Sequence, residues 1–308
     1  MPSGTTPNEL KPCLSAGMLS FPLTDFDTQD EYDARASAQR LEWLTSFDSA
    51  AVFMAGGAGE FFSLTPAEYS AVIATGVAVA GPRLPVIAGV GYGTKLAITF
   101  AQEAERLGAD GLLLMPPYLT KGSQAGLQAH IAAVCEATRL GVIIYNRANC
   151  QLTATTVAAI AEQCPNLIGF KDGVGDMEQL TSIREKLGDR LVYLNGMPTA
   201  ETYAQFFRDI GVPVYSSAIF NFVPRTALVF HRAVKSGDSA TIEQLTRDFL
   251  APYVQIRKRQ PGYAVSIVKA GARIVGRSAG HVRPPLSDLT RSEYDELAAL
   301  IERLGPQD

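Results

Sequence analysis

Short apolar runs alternate along the chain with longer segments of mixed polarity. Eight of these runs are nearly continuous and rich in β-branched residues: 16–21, 51–55, 85–90, 110–115, 141–145, 167–171, 191–194 and 213–218. A strand that is buried on both faces of a parallel sheet has such a continuous apolar pattern. Each run therefore predicts a buried parallel strand, and the segments between them predict helices.

The intervening segments carry signals for helix ends. Thr65 followed by Pro66 and Glu68 predicts a capped helix start. Gly108 and Gly188 follow helical patterns at positions that favour helix termination. From Pro224 onward, helical patterns such as 240–249 and 292–304 continue without strand alternation. The C-terminal part therefore predicts helices alone.

Eight successive strand–helix repeats are the number found in a TIM barrel. An open doubly wound sheet usually has fewer strands and a glycine-rich fingerprint after the first, whereas residues 20–24 here read Ser-Phe-Pro-Leu-Thr. We therefore predict an α/β fold, a (β/α)8 TIM barrel. The barrel should occupy residues 1–223 as the catalytic domain, with residues 224–308 forming a helical C-terminal extension packed on it.

Composition narrows the classes of partner. Hydrophobic residues make up 47% of the 308 residues, and 27 Lys and Arg against 31 Asp and Glu give a net charge of −4. A basic excess that could neutralise phosphates is absent, so we expect no nucleic-acid partner. The apolar runs fall short of the roughly 20 residues of a membrane span, so no membrane partner is expected either.

The start of the chain lacks the basic and apolar regions of a signal peptide, and the four cysteines are scattered. Both features predict a cytoplasmic protein with reduced thiols. The three histidines lie far apart in sequence. We therefore expect no metal site, and the chemistry must come from other side chains.

Active-site residues of a TIM barrel lie at the C-terminal ends of its strands. Lys171 closes the apolar sixth strand, where an ammonium group is costly to bury. Desolvation lowers the pKa of a lysine, and its neutral amine forms Schiff bases with carbonyl compounds. Pairing with Asp172 or another carboxylate is the alternative explanation, and both remain open.

Two further features lie at strand ends. Tyr145 ends the fifth strand, next to Lys171, and could relay protons or simply be a buried core tyrosine. The sequence Gly-Gly-Ala-Gly-Glu at 56–60 has neither the spacing nor the terminal lysine of a phosphate-binding loop. The N–H groups of Gly57 and Ala58 could bind a substrate carboxylate, or the segment could be only a tight turn.

Taken together and in order, these motifs resemble the dihydrodipicolinate synthase/N-acetylneuraminate lyase family of Schiff-base barrels along nearly the whole chain. The similar segments are 56–65, Tyr145-Asn146 and Gly169-Phe170-Lys171. The resemblance implies that Lys171 forms the imine and that Tyr145 relays protons. It also implies that no cofactor is needed and that the protein is a homo-oligomer, a tetramer or a dimer.

The chain departs from the family's synthases at several points. Gly57 and Ala58 replace two threonines, and Arg147 directly follows Tyr-Asn where the synthases continue to a proline. With segments 116–120, 169–176, 268–271 and 282–286, these features are similar to the subgroup that converts 5-dehydro-4-deoxy-D-glucarate to 2,5-dioxopentanoate, water and CO2 in sugar-acid catabolism. The resemblance thus implies a decarboxylating hydro-lyase.

Other functions stay open at this point. A class I aldolase, lyase or synthase of the same family, acting on another 2-oxo acid, would use the same lysine and tyrosine. A non-catalytic barrel and a metal-dependent aldolase are alternatives from other classes.

A six-carbon diacid also needs a site for its distal end, and no cluster of basic residues is evident at the strand ends. By strand position, Asn195 and Ser217 are our candidates for binding the hydroxyls and the departing carboxylate. Arg147 is less favoured, because a tight salt bridge to that carboxylate would stabilise the ground state and slow decarboxylation.

Overall fold

The computed structural model describes residues 5–117 and 121–307 of the chain. Its eight strands are all parallel and form a closed barrel in sequence order, with β8 pairing back to β1. The strands are β1 (Leu19–Ser20), β2 (Ala51–Met54), β3 (Val86–Val90), β4 (Gly111–Leu114), β5 (Gly141–Asn146), β6 (Leu167–Asp172), β7 (Val192–Asn195) and β8 (Val214–Ser217). The predicted TIM barrel with its helical C-terminal region is confirmed.

Helices surround the barrel and continue beyond it. They are α1 (Pro7–Ser15), α2 (Ala34–Leu44), α3 (Pro66–Val79), α4 (Thr94–Leu107), α5 (Gln124–Glu136), α6 (Ala154–Gln163), α7 (Met177–Leu187), α8 (Ala204–Asp209), α9 (Pro224–Ser236), α10 (Ser239–Leu245), α11 (Ala251–Arg257), α12 (Tyr263–Ile274) and α13 (Arg291–Glu302). A π-helical turn, Thr246–Leu250, joins α10 to α11. Within the described part of the chain, no helix is long and apolar enough to span a membrane.

The helix ends follow the predicted signals. The Thr65 side chain accepts a hydrogen bond from the Glu68 N–H, and the Glu68 carboxylate accepts one from the Thr65 N–H, which forms the predicted capping box. Gly108 ends α4 in the left-handed conformation, and Gly188 follows the last residue of α7. These signals depend only on residues close in sequence, so the helix ends can be predicted without knowledge of the tertiary structure.

Strand alternation divides the strand side chains into an inward and an outward set. The inward set packs in one apolar cluster that includes Leu19, Phe53, Ile87, Leu113, Ile143, Leu194 and Val214. Leu10 and Leu14 of α1 join this cluster, and α1 contacts β5, β6 and β7. The sequence pattern does not predict α1, which covers the interior of the barrel.

The C-terminal helices share an apolar cluster with the barrel. Met18, Leu44 and Tyr215 pack there with residues of α9 to α13. Helix α9 contacts α8 and follows β8 as each earlier helix follows its strand. We therefore propose that the barrel unit continues to the end of α9, instead of ending at residue 223, and that the extension comprises α10 to α13.

A buried ion pair connects the extension to the loop that follows β2. The Lys269 Nζ on α12 lies 2.7 Å from the Glu60 Oε1, and both side chains are fully buried. The Arg283 N–H donates to the Glu60 Oε2 at 3.0 Å, and Lys269 donates to the His281 carbonyl oxygen at 2.7 Å. The segment 56–60 is therefore fixed at Glu60 by an ion pair and a hydrogen bond from the extension.

Replacing Glu60 with Gln should strongly destabilise the protein. The Lys269 charge would remain buried without a counter-charge, which typically costs about 3–5 kcal/mol. Urea unfolding at neutral pH measures this loss. The double variant Glu60→Gln/Lys269→Met removes both charges and should recover most of the stability. A decrease in the free energy of unfolding of less than about 1 kcal/mol in Glu60→Gln, which is typical of an exposed ion pair, would show that the pair does not stabilise the fold as a buried one.

Candidate active site

A cavity of about 410 Å³ opens at the C-terminal ends of the strands, within the size range of small-molecule sites. Its wall includes residues that follow or end β2, β4, β5, β6, β7 and β8, and residues of α11 and α12. Six of the seven sequence-predicted residues lie in this wall together: Gly57, Ala58, Tyr145, Arg147, Lys171 and Ser217. Of the fourth strand end, Tyr118, Leu119 and Thr120 lie outside the described residues.

Lys171 lies on the inner face of the barrel, paired in register with Tyr145 on the adjacent strand. Its Nζ is 3.9 Å from the centroid of the Phe21 ring and 4.5 Å from that of Tyr145, and the residue is 4% exposed. Within residues 5–117 and 121–307, no carboxylate forms an ion pair with it. Asp172 faces away and accepts a hydrogen bond from the Asn146 amide instead. Pairing with Asp172 is therefore excluded.

This environment disfavours the charged form of the amine. Burial, and secondarily the charge of Arg147, lowers the pKa of Lys171 to about 7. In a substantial fraction of the protein molecules, the Lys171 amine is then a neutral nucleophile at neutral pH. The two aromatic rings oppose this by attracting a cation, but they do not replace the lost hydration.

Gly196 leaves the space that Lys171 occupies. A Cβ atom at this position would lie 2.7 Å from the Cε of Lys171 and 2.9 Å from a ring carbon of Tyr145. Any side chain here would displace the amine or the phenol. The sequence shows Gly196 at a strand end, but its packing against Lys171 depends on strand register and is not visible there.

Tyr145 and Arg147 form a hydrogen-bonded pair beside the lysine. The Tyr145 hydroxyl donates to the Gly196 carbonyl oxygen at 2.8 Å and accepts from the Arg147 Nη1 at 2.8 Å. The guanidinium is partly buried in the cavity wall. Arg147, the less favoured candidate from the sequence, therefore contacts the proposed proton-relay phenol directly.

Gly57 and Ala58 of the loop after β2 line the cavity. The turn of this loop is closed by the Glu60 N–H, which donates to the Gly57 carbonyl oxygen, and both Ala55 and Glu60 have left-handed φ angles of 49° and 52°. The N–H groups of Gly57 and Ala58 donate to no other group in the described part of the chain. Two adjacent free donors in a cavity wall can bind a carboxylate.

Asn195 and Ser217 belong to the outward set of strand residues. Leu194 and Val214 face the barrel interior. Because side chains alternate along a strand, Asn195 on β7 and Ser217 on β8 face outward. The Asn195 amide donates to the Ala200 carbonyl oxygen, and its oxygen accepts from the Met197 N–H.

The Ser217 hydroxyl donates to the Glu201 Oε1 at 2.5 Å. Ser217 reaches the cavity wall, but Asn195 does not line it. The Asn195 side chain therefore holds the segment after β7 and does not reach the cavity, which corrects its expected contact with a substrate. Ser217 lines the cavity while its hydroxyl binds Glu201, so its contact with a substrate stays a prediction.

The structure adds two polar residues that the sequence does not single out for the site. Ser216 faces the barrel interior and is partly exposed in the cavity. It was missed because an error of one residue in a strand exchanges the two faces. Arg257 reaches the wall from α11, far from any strand in sequence. Among the described lining residues there are cations but no carboxylate.

The chain is similar to known proteins along nearly its whole length. The model of the dihydrodipicolinate synthetase family matches residues 14–304. A protein of Pseudomonas entomophila named probable 5-dehydro-4-deoxyglucarate dehydratase is 56% identical over 302 residues, covering 98% of this chain and 99% of that protein. A protein of Azotobacter vinelandii with the same name is 55% identical, covering 98% and 100%.

Solved structures show the same architecture. Dihydrodipicolinate synthase from Oceanobacillus iheyensis superposes with a TM-score of 0.87 at 24% identity, covering 96% of this chain and 99% of that one. At this identity the likeness supports the fold alone.

The rate of imine formation should rise as the pH increases through about 7 and then level off, because only the neutral amine of Lys171 attacks a carbonyl. Trapping of the pyruvate imine with cyanoborohydride measures this rate. Arg147→Gln removes a nearby positive charge, so it should raise the pKa of Lys171 and shift the midpoint to higher pH. Arg139→Gln, at an exposed position, is the control. A midpoint near the ordinary lysine value of about 10.4 would contradict the desolvated site.

Proposed function

The chain belongs to the dihydrodipicolinate synthetase family, and we propose that it converts 5-dehydro-4-deoxy-D-glucarate to 2,5-dioxopentanoate, water and CO2 through a Schiff base on Lys171. The observation that carries the chemistry is the buried Lys171 amine, which lacks a described carboxylate partner and lies beside Tyr145. The name shared by relatives at 55–56% identity over nearly the whole chain supports the substrate.

The first step joins the substrate to the enzyme. The neutral Lys171 amine attacks the C5 ketone, and loss of water leaves an iminium ion. The C6 carboxylate, which is adjacent to this carbon, binds to the free N–H groups of Gly57 and Ala58. The iminium group withdraws electrons and makes the neighbouring C4–H acidic.

Dehydration follows from this acidity. Removal of the C4 proton gives an enamine, whose electrons expel the C3 hydroxyl as water once it is protonated. Tyr145 relays these protons, and Arg147 holds the phenol in place by donating to its oxygen. The product of this step is an iminium ion conjugated with a C3=C4 double bond.

The conjugated iminium then accepts the electrons of the C1–C2 bond as C1 leaves as CO2. Protonation at C4 restores the C5 iminium, and tautomerisation of the C2 enol, in which C3 gains a proton and the C2 hydroxyl loses one, gives the aldehyde end of the product. Hydrolysis of the imine releases 2,5-dioxopentanoate and restores the Lys171 amine. Every electron pair is accounted for by the imine, so the sequence of steps uses only this chain's own residues.

We also propose that the enzyme acts in the cytoplasm as a homo-oligomer, a tetramer or a dimer, with the sugar acid as its small-molecule partner. The family resemblance supports the oligomer. The four free cysteines support the location, because thiols stay reduced in the cytoplasm.

Product analysis separates this function from its closest alternative. Incubation with 5-dehydro-4-deoxy-D-glucarate should release one CO2 per molecule and yield 2,5-dioxopentanoate, as read by NMR and trapped CO2. Lys171→Arg should lose this activity while remaining folded, because a guanidinium is not a nucleophile at neutral pH. Formation of pyruvate without CO2 would instead identify an aldolase of the same family.

Ser216 and Ser217 provide a matched pair of variants. Ser216→Ala removes a hydroxyl that faces the cavity and should lower kcat/KM by roughly 3- to 10-fold, the value of a neutral hydrogen bond, with unchanged stability. Ser217→Ala removes the bond to Glu201 and should lower stability while leaving kcat/KM nearly unchanged. Steady-state kinetics and thermal unfolding measure both. The reverse pattern would mean that the outward residue contacts the substrate.

A further inference from the structure

The C-terminal extension places a guanidinium in the cavity wall. Tyr253 and Arg257 are four residues apart on α11 and therefore lie on the same face of the helix. Both line the cavity, and Arg257 is partly exposed there. The barrel strands alone would not supply this second arginine.

Arg257 has unused hydrogen-bonding capacity. Its Nη1 donates to the Thr199 hydroxyl at 2.8 Å, and it forms no ion pair with any carboxylate in residues 5–117 and 121–307. The nearby Glu201 is hydrogen-bonded by Ser217 instead, and burial raises the pKa of Glu201 to about 7. A guanidinium carries five N–H donors, and its planar fork matches a carboxylate. The free donors of Arg257 therefore suit an anion in the cavity.

The position of Arg257 relative to the lysine fits a ligand of limited length. Gly196 packs directly against the Lys171 Cε, and Thr199 follows it by three residues. Three residues span at most about 11 Å, and Lys171, Thr199 and Arg257 all line the same cavity. A six-carbon chain attached to Lys171 can therefore extend towards this guanidinium.

We propose that Arg257 binds the carboxylate distal to the imine and so selects 2-oxo diacids over 2-oxo monoacids. The identity of this carboxylate as C1 of the substrate rests on the proposed function. It replaces the expectation that neutral groups alone hold the departing carboxylate. Because the interaction stabilises bound substrate more than the transition state for CO2 loss, Arg257 lowers KM without raising kcat.

Two 2-oxo acids that form the imine but cannot be dehydrated test this assignment. 2-Oxoadipate and 2-oxohexanoate both have six carbons and a ketone that can form the imine, but only the first has a distal carboxylate. Neither has a hydroxyl to lose, so the test does not depend on dehydration. Cyanoborohydride trapping on Lys171 gives the half-saturating concentration of each acid.

The wild type should prefer 2-oxoadipate by roughly 10- to 100-fold, the value of a charged hydrogen-bonded contact. Arg257→Gln should lose this preference while trapping 2-oxohexanoate as well as the wild type does. Arg257→Lys should retain part of the preference. Arg259→Gln, whose guanidinium pairs with Glu296 at 2.7 Å, is the control and should behave as the wild type.

Either of two results would overturn the assignment: no preference in the wild type, or a preference that persists in Arg257→Gln. If Arg257→Gln fails to fold, Arg257→Lys decides, because a folded variant with a weakened preference supports the contact and one with the full wild-type preference rejects it. A wild type that prefers 2-oxoadipate yet releases no CO2 from the keto-deoxy diacid would contradict the proposed reaction and leave the role of Arg257 intact.

Discussion

Burial of the Lys171 amine, with no carboxylate partner among residues 5–117 and 121–307, is the constraint on which the site depends. Two lysines are buried in the part of the chain that the structure describes, and their surroundings differ. Lys269 keeps a carboxylate partner in Glu60, whereas Lys171 faces two aromatic rings and an arginine. In the first arrangement burial lowers the pKa of Lys269, but the Glu60 carboxylate opposes this shift and forms a structural ion pair. The second disfavours the cation and so makes a neutral nucleophile available.

The C-terminal extension contributes to the site in two ways. Through Lys269 and the Arg283 N–H it fixes Glu60, and thereby one end of the loop that presents the Gly57 and Ala58 donors. Through α11 it adds Arg257 to the cavity wall. The extension therefore positions the loop that carries Gly57 and Ala58 and also supplies a cation to the cavity wall.

The sequence predicts much of this architecture because the relevant signals are local. Continuous apolar runs indicate the eight buried strands, and a lysine that closes such a run identifies Lys171. The face of a strand on which a side chain lies is harder to predict, because an error of one residue in register exchanges the faces of Ser216 and Ser217. Arg257 is invisible to such reasoning, since only packing of a distant helix brings it to the cavity.

Peptide mapping after borohydride reduction in the presence of pyruvate tests the central claim most directly. The account predicts a single mass increase, on the peptide that contains Lys171, and none on the peptide that contains the ion-paired Lys269. An adduct on another lysine, or no adduct at all, would contradict the assignment of Lys171 as the imine-forming residue.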